Sequence, residues 1–206
     1  MPTIAELIAR RISPEDKETR EPRVETLSSP ICPRSEKPHD RYEADVFNFL
    51  WLHRERLGIK SVLKYTARLV DGGVVLVDGT KLVVEVKYRM NWEKACQAEF
   101  EFRQFQKRFQ SEAPDGGLVF FEEFSGDWAR KAGRRNLENG WSHWYRDHAE
   151  VNGRRMDLLR LFKRQDPAGD SSEWALDEGS PLGDAILVAA ASPTEGQPEN
   201  FGKPQC

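Results

Sequence analysis

Asp71, Glu85 and Lys87 are the residues of this sequence whose types and spacing could do chemistry. Carboxylates are the oxygen ligands that Mg²⁺ prefers in proteins, and a lysine ammonium can stabilise negative charge that develops beside it. The three residues could act together only if the chain folds them onto one surface. The alternative is a solvated ion pair across two strands, which would stabilise the fold by only about 0.2 to 1 kcal/mol.

The element that must position them is a β-hairpin over residues 70–88. Two runs rich in β-branched residues flank an Asp-Gly pair at 78–79, which is a strong signal for a hairpin turn. The turn length sets the register, and a slip of one residue moves every side chain to the other face. A two-residue loop would point Asp71 away from Glu85 and Lys87. A three-residue loop, over residues 77–79 or 78–80, places Asp71 opposite Glu85 or Lys87, with all three on one face.

In the three-residue register, the other face of the hairpin is apolar. That face suits packing on a core and carries Val70, Val74, Leu76, Leu82, Val84, Val86 and Tyr88. The charged groups are therefore gathered at the open end of the hairpin, on the opposite face.

An Asp followed by a strand that ends in Glu-x-Lys resembles the core motif of the PD-(D/E)XK nuclease superfamily, the restriction-endonuclease-like fold. The matching residues are Asp71 and Glu85-Val86-Lys87, while Val70 stands where the motif's name has Pro. The resemblance implies phosphodiester hydrolysis with Mg²⁺ or Mn²⁺ as the cofactor. It implies that Asp71, Glu85 and the backbone carbonyl of Val86 bind the metal, and that Lys87 orients or activates the attacking water.

The order of predicted elements supports the same fold. Asp40 can cap a helix that extends to Arg54, and residues 62–70 form the first strand. After the hairpin come a helix, a strand and a last strand, over residues 91–109, 118–124 and 154–163. This order predicts an α/β (α+β) fold with the restriction-endonuclease-like αβββαβ core, a mixed sheet flanked by helices.

Glu43 lies on the apolar stripe of the first helix, one turn before Phe47. The resemblance implies that this carboxylate stands beside the metal site, as an outer or second-metal ligand. The alternative is a first-turn Glu favoured by the helix dipole.

Five further residues are candidate nucleic-acid contacts. They are Arg89, Lys94, Gln97, Arg130 and Arg134. Arg89 shares the acidic face, and the second helix of a resembled nuclease starts beside the active site, where Lys94 and Gln97 lie. The alternative for Arg89 is a simple counter-ion to Glu85, and the alternative for the other four residues is a solvated helix face.

Composition divides the chain into an arm, a domain and a tail. Residues 1–38 are predicted to be a disordered arm, residues 39–165 the nuclease-like domain, and residues 166–206 an acidic, largely disordered tail. Lys and Arg counted against Asp and Glu give +4 for residues 81–164 and −7 for residues 165–206.

No apolar run of about 18 residues and no signal-peptide segment are present, so we expect a cytoplasmic protein without a membrane partner.

Two functions from different classes follow. The first is a metal-dependent nuclease, with DNA favoured over RNA as substrate. Its oligomeric state stays open between a homodimer, since many resembled nucleases act on two strands as dimers, and a complex with another protein. The second is a non-catalytic module that keeps the nuclease fold to bind nucleic acid or a protein partner. Asp71, Glu85 and Lys87, the residues that the catalytic motif requires, are all present, and this favours the enzyme.

Overall fold

The structure is a computed structural model of the 206-residue chain, and it describes residues 24–65, 69–109, 113–125, 150–165 and 172–176. Two helices and eight strands occur in these ranges. They are β1 (Val24–Thr26), α1 (Pro38–Leu52), β2 (Ile59–Tyr65), β3 (Gly72–Leu76), β4 (Lys81–Met90), α2 (Trp92–Arg108), β5 (Gly116–Phe124), β6 (Glu150–Val151), β7 (Arg154–Gln165) and β8 (Ser172–Leu176).

The strands form one mixed sheet in the order β1-β2-β3-β4-β5-β7-β6, and β8 pairs with the second half of β7. Strands β1 to β4 pair antiparallel, whereas β4, β5 and β7 are parallel. The class is therefore mixed α/β. Between Pro38 and Phe124 the order is helix, three strands, helix and strand, as predicted from the sequence.

Helix α1 covers one face of the sheet. Its apolar residues Val46, Phe47 and Leu50 pack on the even-numbered residues of the central strand, Val84 and Val86. Burial of large apolar side chains on this face is a main source of fold stability.

Helix α2 covers the opposite face. The helical period of the sequence predicts an apolar stripe here. Of its residues, Ala95, Ala98, Phe102 and Phe105 are buried against the sheet, and Phe109 is partly buried. Asn91 caps the helix, and its side chain accepts a hydrogen bond from the backbone N–H of Lys94 at 2.9 Å. Both faces of β4 are therefore covered, and this explains its nearly continuous burial.

The hairpin register is the predicted three-residue one. Leu76 and Thr80 close a loop over residues 77–79 through a backbone hydrogen bond of 2.8 Å. Gly79 adopts a φ of 91°, a conformation that side chains disfavour and that the loop requires. Gly72 lies opposite Val84, so the next pair along the hairpin is Asp71 and Glu85.

Several predicted boundaries and faces are wrong. Residues 24–37 are part of the fold rather than a disordered arm, because β1 pairs with β2 and Leu27 is buried in the α1 core. Strand β8 lies within the predicted tail.

The cap and one core face also differ from prediction. The first helix begins at Pro38 with Lys37 as its N-cap, so Asp40 lies in the first turn instead of capping it. Val70 packs on the α2 side rather than with the even-numbered hairpin residues. In the described part of the chain, no helix is both long and apolar enough to cross a membrane.

Candidate active site

Asp71 directly precedes β3, and its side chain is hydrogen-bonded to the neighbouring strand β4. Its backbone N–H donates to Val84 O at 3.1 Å, and its Oδ2 accepts from the backbone N–H of Val86 at 2.8 Å. These two contacts hold the carboxylate of Asp71 against β4. Because Val84 and Val86 point into the α1 core, Glu85 between them points to the α2 side.

Lys87 bridges β4 and α2. Its Nζ donates to Glu85 Oε1 and, at 3.0 Å, to Glu101 Oε2. Burial by itself lowers the pKa of the Lys87 ammonium, but the charges of Glu85 and Glu101 outweigh that effect and raise the pKa above its usual range. Lys87 therefore favours its charged form.

Glu101 is itself held by its own helix. Gln97 lies one turn earlier on α2 and donates from Nε2 to Glu101 Oε1 at 2.7 Å. Each oxygen of Glu101 thus accepts one hydrogen bond, one from the helix and one from Lys87. Gln97 is thus linked to the site through Glu101, and its contact with nucleic acid stays a prediction.

A second buried ion pair joins the site from the α1 side. Lys64 of β2 donates from Nζ to Glu43 Oε1 and, at 3.0 Å, to the backbone carbonyl of Asp71. Glu43 and Lys64 are only 6% and 8% exposed, so both charges are largely removed from water. The structure brings Glu43 near Asp71, but with an ammonium between the Glu43 carboxylate and the Asp71 backbone.

Gly72 makes room for this pair. Lys64 and Gly72 are opposite each other across β2 and β3. A Cβ on Gly72 would lie 2.2 Å from Leu63 O and 2.6 Å from the Phe47 ring, so no larger residue fits without moving the backbone or the helix. The same Phe47 ring lies 4.2 Å from Lys64 Nζ.

The carboxylates at the site repel one another. Burial raises the pKa of Asp71, and the charge of Glu43 raises it further, although Lys64 and Lys87 oppose the change. Burial likewise raises the pKa of Glu85 well above its usual value, and the neighbouring charge of Asp71 adds to the shift. Both carboxylates therefore favour an added cation.

The charge balance supports this inference. With every group ionised, the four carboxylates of Asp71, Glu85, Glu101 and Glu43 and the ammonium groups of Lys64 and Lys87 sum to −2, and the more exposed Arg34 beside Glu43 brings the sum to −1. Burying net charge is costly unless it is paired.

The carboxylate oxygens of Asp71 and Glu85 are of the kind that binds a hard divalent cation. One oxygen of Asp71 and one of Glu85 have no hydrogen-bond partner among the described residues, and carboxylate oxygens are what Mg²⁺ and Mn²⁺ bind. In that same part of the chain, no group of three or more His, Cys, Asp or Glu residues is arranged to hold a metal. Asp71 and Glu85 are thus two donors, to be completed by a backbone carbonyl and water.

The candidate nucleic-acid contacts differ from one another in exposure and in their partners. Arg89 is exposed at the end of β4 and pairs with Glu123 at 2.5 Å. Lys94 is partly buried, and burial together with the charges of Lys87 and Arg89 lowers its pKa. Arg130 and Arg134 lie outside the described residues.

Sequence reasoning missed two partners at the site, Glu101 as the second carboxylate on Lys87 and Lys64 as the partner of Glu43. A signal existed for each. Glu101 follows Gln97 by four residues on a helix, where such side chains are neighbours, and Lys64 shares the inward strand parity of Val62.

Comparison of this chain with protein-family models, with curated proteins and with solved structures found no match.

Proposed function

We propose that this protein is a metal-dependent nuclease that hydrolyses phosphodiester bonds, with DNA as its favoured substrate. The observation that carries the proposal is that the Asp71 carboxylate is hydrogen-bonded to β4 at Val86, between Glu85 and Lys87 of the same strand, with Lys87 held by two carboxylates. The element order from α1 to β5 is also that of the restriction-endonuclease-like core that the sequence resembles.

In this proposal Asp71 and Glu85 hold Mg²⁺ or Mn²⁺, with the backbone carbonyl of Val86, as the resemblance implies. The bound metal supplies neutralisation of the scissile phosphate and a more acidic water. Burial, and then the repulsion between neighbouring carboxylates, raises the pKa of Asp71 and of Glu85, and a bound cation would offset both effects.

Lys87 acts electrostatically. Hydrolysis joins a water oxygen to phosphorus and breaks one P–O ester bond, and negative charge builds on the phosphoryl oxygens between these events. An ammonium whose pKa is raised cannot take a proton from water at neutral pH, but it can stabilise that charge and orient the nucleophile. We therefore assign Lys87 to charge stabilisation rather than to general-base catalysis.

The second candidate function is a binding module for nucleic acid or a protein partner. The observation that favours it is the same double ion pair, because a lysine neutralised by Glu85 and Glu101 is also what a structural charge network would contain.

The test is cleavage of supercoiled plasmid, labelled single-stranded DNA and labelled RNA, each with Mg²⁺, Mn²⁺ or EDTA. Wild type is compared with Asp71→Asn and Lys87→Met, which keep side-chain size while removing charge. Lys81→Met is the matched control, because Lys81 is an exposed lysine on the same strand. We expect metal-dependent cleavage by wild type and by Lys81→Met, and at least a hundred-fold loss in the other two variants, about 2.7 kcal/mol in activation free energy.

Two outcomes would count against the nuclease. Cleavage that survives equally in all variants would come from a contaminant. Absence of cleavage by wild type, with nucleic-acid binding that Asp71→Asn and Lys87→Met leave unchanged, would support the binding module.

A further inference from the structure

The ammonium of Lys64 occupies a closed environment on the α1 side of the sheet. A lysine has three N–H donors and no acceptor. Lys64 Nζ donates to Glu43 Oε1 and to Asp71 O at 3.0 Å, and it lies 4.2 Å from the centre of the Phe47 ring. Two oxygens and an aromatic face thus surround one positive charge.

The two oxygens are of the kind that a hard cation binds. A carboxylate and a backbone carbonyl are typical ligands of Mg²⁺ and Mn²⁺. The Asp71 residue contributes to both places, since its carbonyl contacts Lys64 while its carboxylate lies beside Glu85. A second cation next to the Asp71–Glu85 site would therefore be expected where the Lys64 ammonium now lies.

Two further basic side chains lie near Glu43. Arg34 Nη2 lies 3.7 Å from Glu43 Oε1, and His39 Nε2 lies 4.0 Å from Glu43 Oε2. Glu43 is thus committed to side chains of the protein. These contacts argue against its role as a metal ligand, which the sequence resemblance implied.

We infer that Lys64 serves as a built-in substitute for a second metal ion, so that this chain binds a single divalent cation, at Asp71 and Glu85. The inference rests on the proposed function for its first cation, and it assigns Lys64 as a positioning residue that holds Glu43 and the Asp71 backbone. It also gives a reason for Gly72, since a side chain there would meet the Phe47 ring that covers Lys64.

The test is the number of Mn²⁺ ions bound per chain, measured by titration calorimetry and by loss of the free Mn²⁺ electron paramagnetic resonance signal. Four proteins are compared: wild type, Lys64→Ala, Glu43→Gln and the double variant Lys64→Ala/Glu43→Gln. Folding of each is checked by near-ultraviolet circular dichroism. Lys64→Ala leaves space for a hydrated ion beside two oxygen donors.

We expect one Mn²⁺ for wild type, two for Lys64→Ala, and one for the double variant, which lacks the Glu43 charge. Glu43→Gln alone should bind one Mn²⁺ with an affinity within about five-fold of wild type. If Lys64→Ala does not fold, the Mn²⁺ affinity of Glu43→Gln still tests whether Glu43 binds a metal ion or only Lys64.

The outcomes that overturn the inference differ from those that overturn the nuclease. Two Mn²⁺ in wild type, one in folded Lys64→Ala, or a larger loss of affinity in Glu43→Gln would exclude Lys64 as a metal substitute and leave the Asp71–Glu85 metal site standing. No Mn²⁺ binding by wild type would remove that site itself, and the inference with it.

Discussion

Lys87 Nζ lies 3.0 Å from Glu101 Oε2, and this contact links the central strand β4 to helix α2. Lys87 and Glu85 alternate with core residues on a strand that is covered on both faces. The Glu101 contact therefore helps to set where the Lys87 ammonium lies, and it adds to the larger effect of Glu85 in raising the pKa of Lys87.

The first prediction concerns Glu101. Glu101→Gln removes one of the two charges on Lys87 and should lower single-turnover cleavage about ten-fold, or ~1.4 kcal/mol in activation free energy. The control is Glu99→Gln on the same helix, since Glu99 pairs with Arg103 at 2.7 Å. Equal rates for Glu101→Gln and wild type would show that Glu85 alone positions Lys87.

The second prediction concerns Asp71 and pH. Burial and the charge of Glu43 raise the folded-state pKa of Asp71, so ionisation of this carboxyl destabilises the folded state. That destabilisation is absent below the unfolded pKa of about 3.9 and grows as the pH rises through the folded pKa. Asp71→Asn should therefore match wild type near pH 4 and be the more stable protein at pH 7, by about 1 kcal/mol or more.

The measurement is urea unfolding in EDTA at both pH values. The control, Asp78→Asn, should give the opposite sign, because hydrogen bonds from Thr80 lower the pKa of Asp78 and its ionised form stabilises the turn. A decrease in the stability of Asp71→Asn at pH 7 would show that the attraction of Lys64 and Lys87 exceeds the cost of burial.

The third prediction compares two glycines. Gly72→Ala places a methyl group 2.2 Å from Leu63 O and 2.6 Å from the Phe47 ring, and we expect a loss of about 3 kcal/mol in unfolding free energy. In Gly79→Ala nothing lies within 4 Å of the new methyl group, so only the positive φ opposes it, at about 1 kcal/mol. Urea unfolding of both variants measures the difference, and equal losses would contradict crowding at Gly72.

The fourth prediction concerns the start of α2, the helix that carries Gln97 and Glu101. Asn91→Ala removes the side chain that accepts from Lys94 N at 2.9 Å, which should lower stability by about 1 kcal/mol. Asn91→Ser can still cap the helix and should remain close to wild type. Thermal unfolding checks both, and similar losses for the two variants would show that capping is not the cause.

The site was predictable from sequence where its geometry is local. An Asp-Gly turn and two β-branched runs predict the hairpin, and the three-residue loop then places Asp71 opposite Glu85. The buried stripe of α2 is likewise local, because Ala95, Ala98 and Phe102 repeat with the period of a helix.

Tertiary contacts were not predictable in the same way. Which carboxylate meets Lys87 depends on how α2 packs on the sheet, and which cation meets Glu43 depends on how α1 packs. Prolines and charges predict disorder for residues 24–37, whereas Leu27 and Ile31 of this segment pack on the α1 core. A few apolar contacts outweighed the composition of the segment.

The paired strands of the sheet differ widely in their separation along the sequence. A three-residue turn connects β3 to β4. The parallel strands β4 and β5 are instead connected through the whole of α2. Because contacts between distant residues close more slowly, we expect Asp71 and Glu85 to meet early in folding, before β5 arrives. Until then the free edge of β4 is open to pairing with other chains, so the slow step exposes the same strand that carries the site.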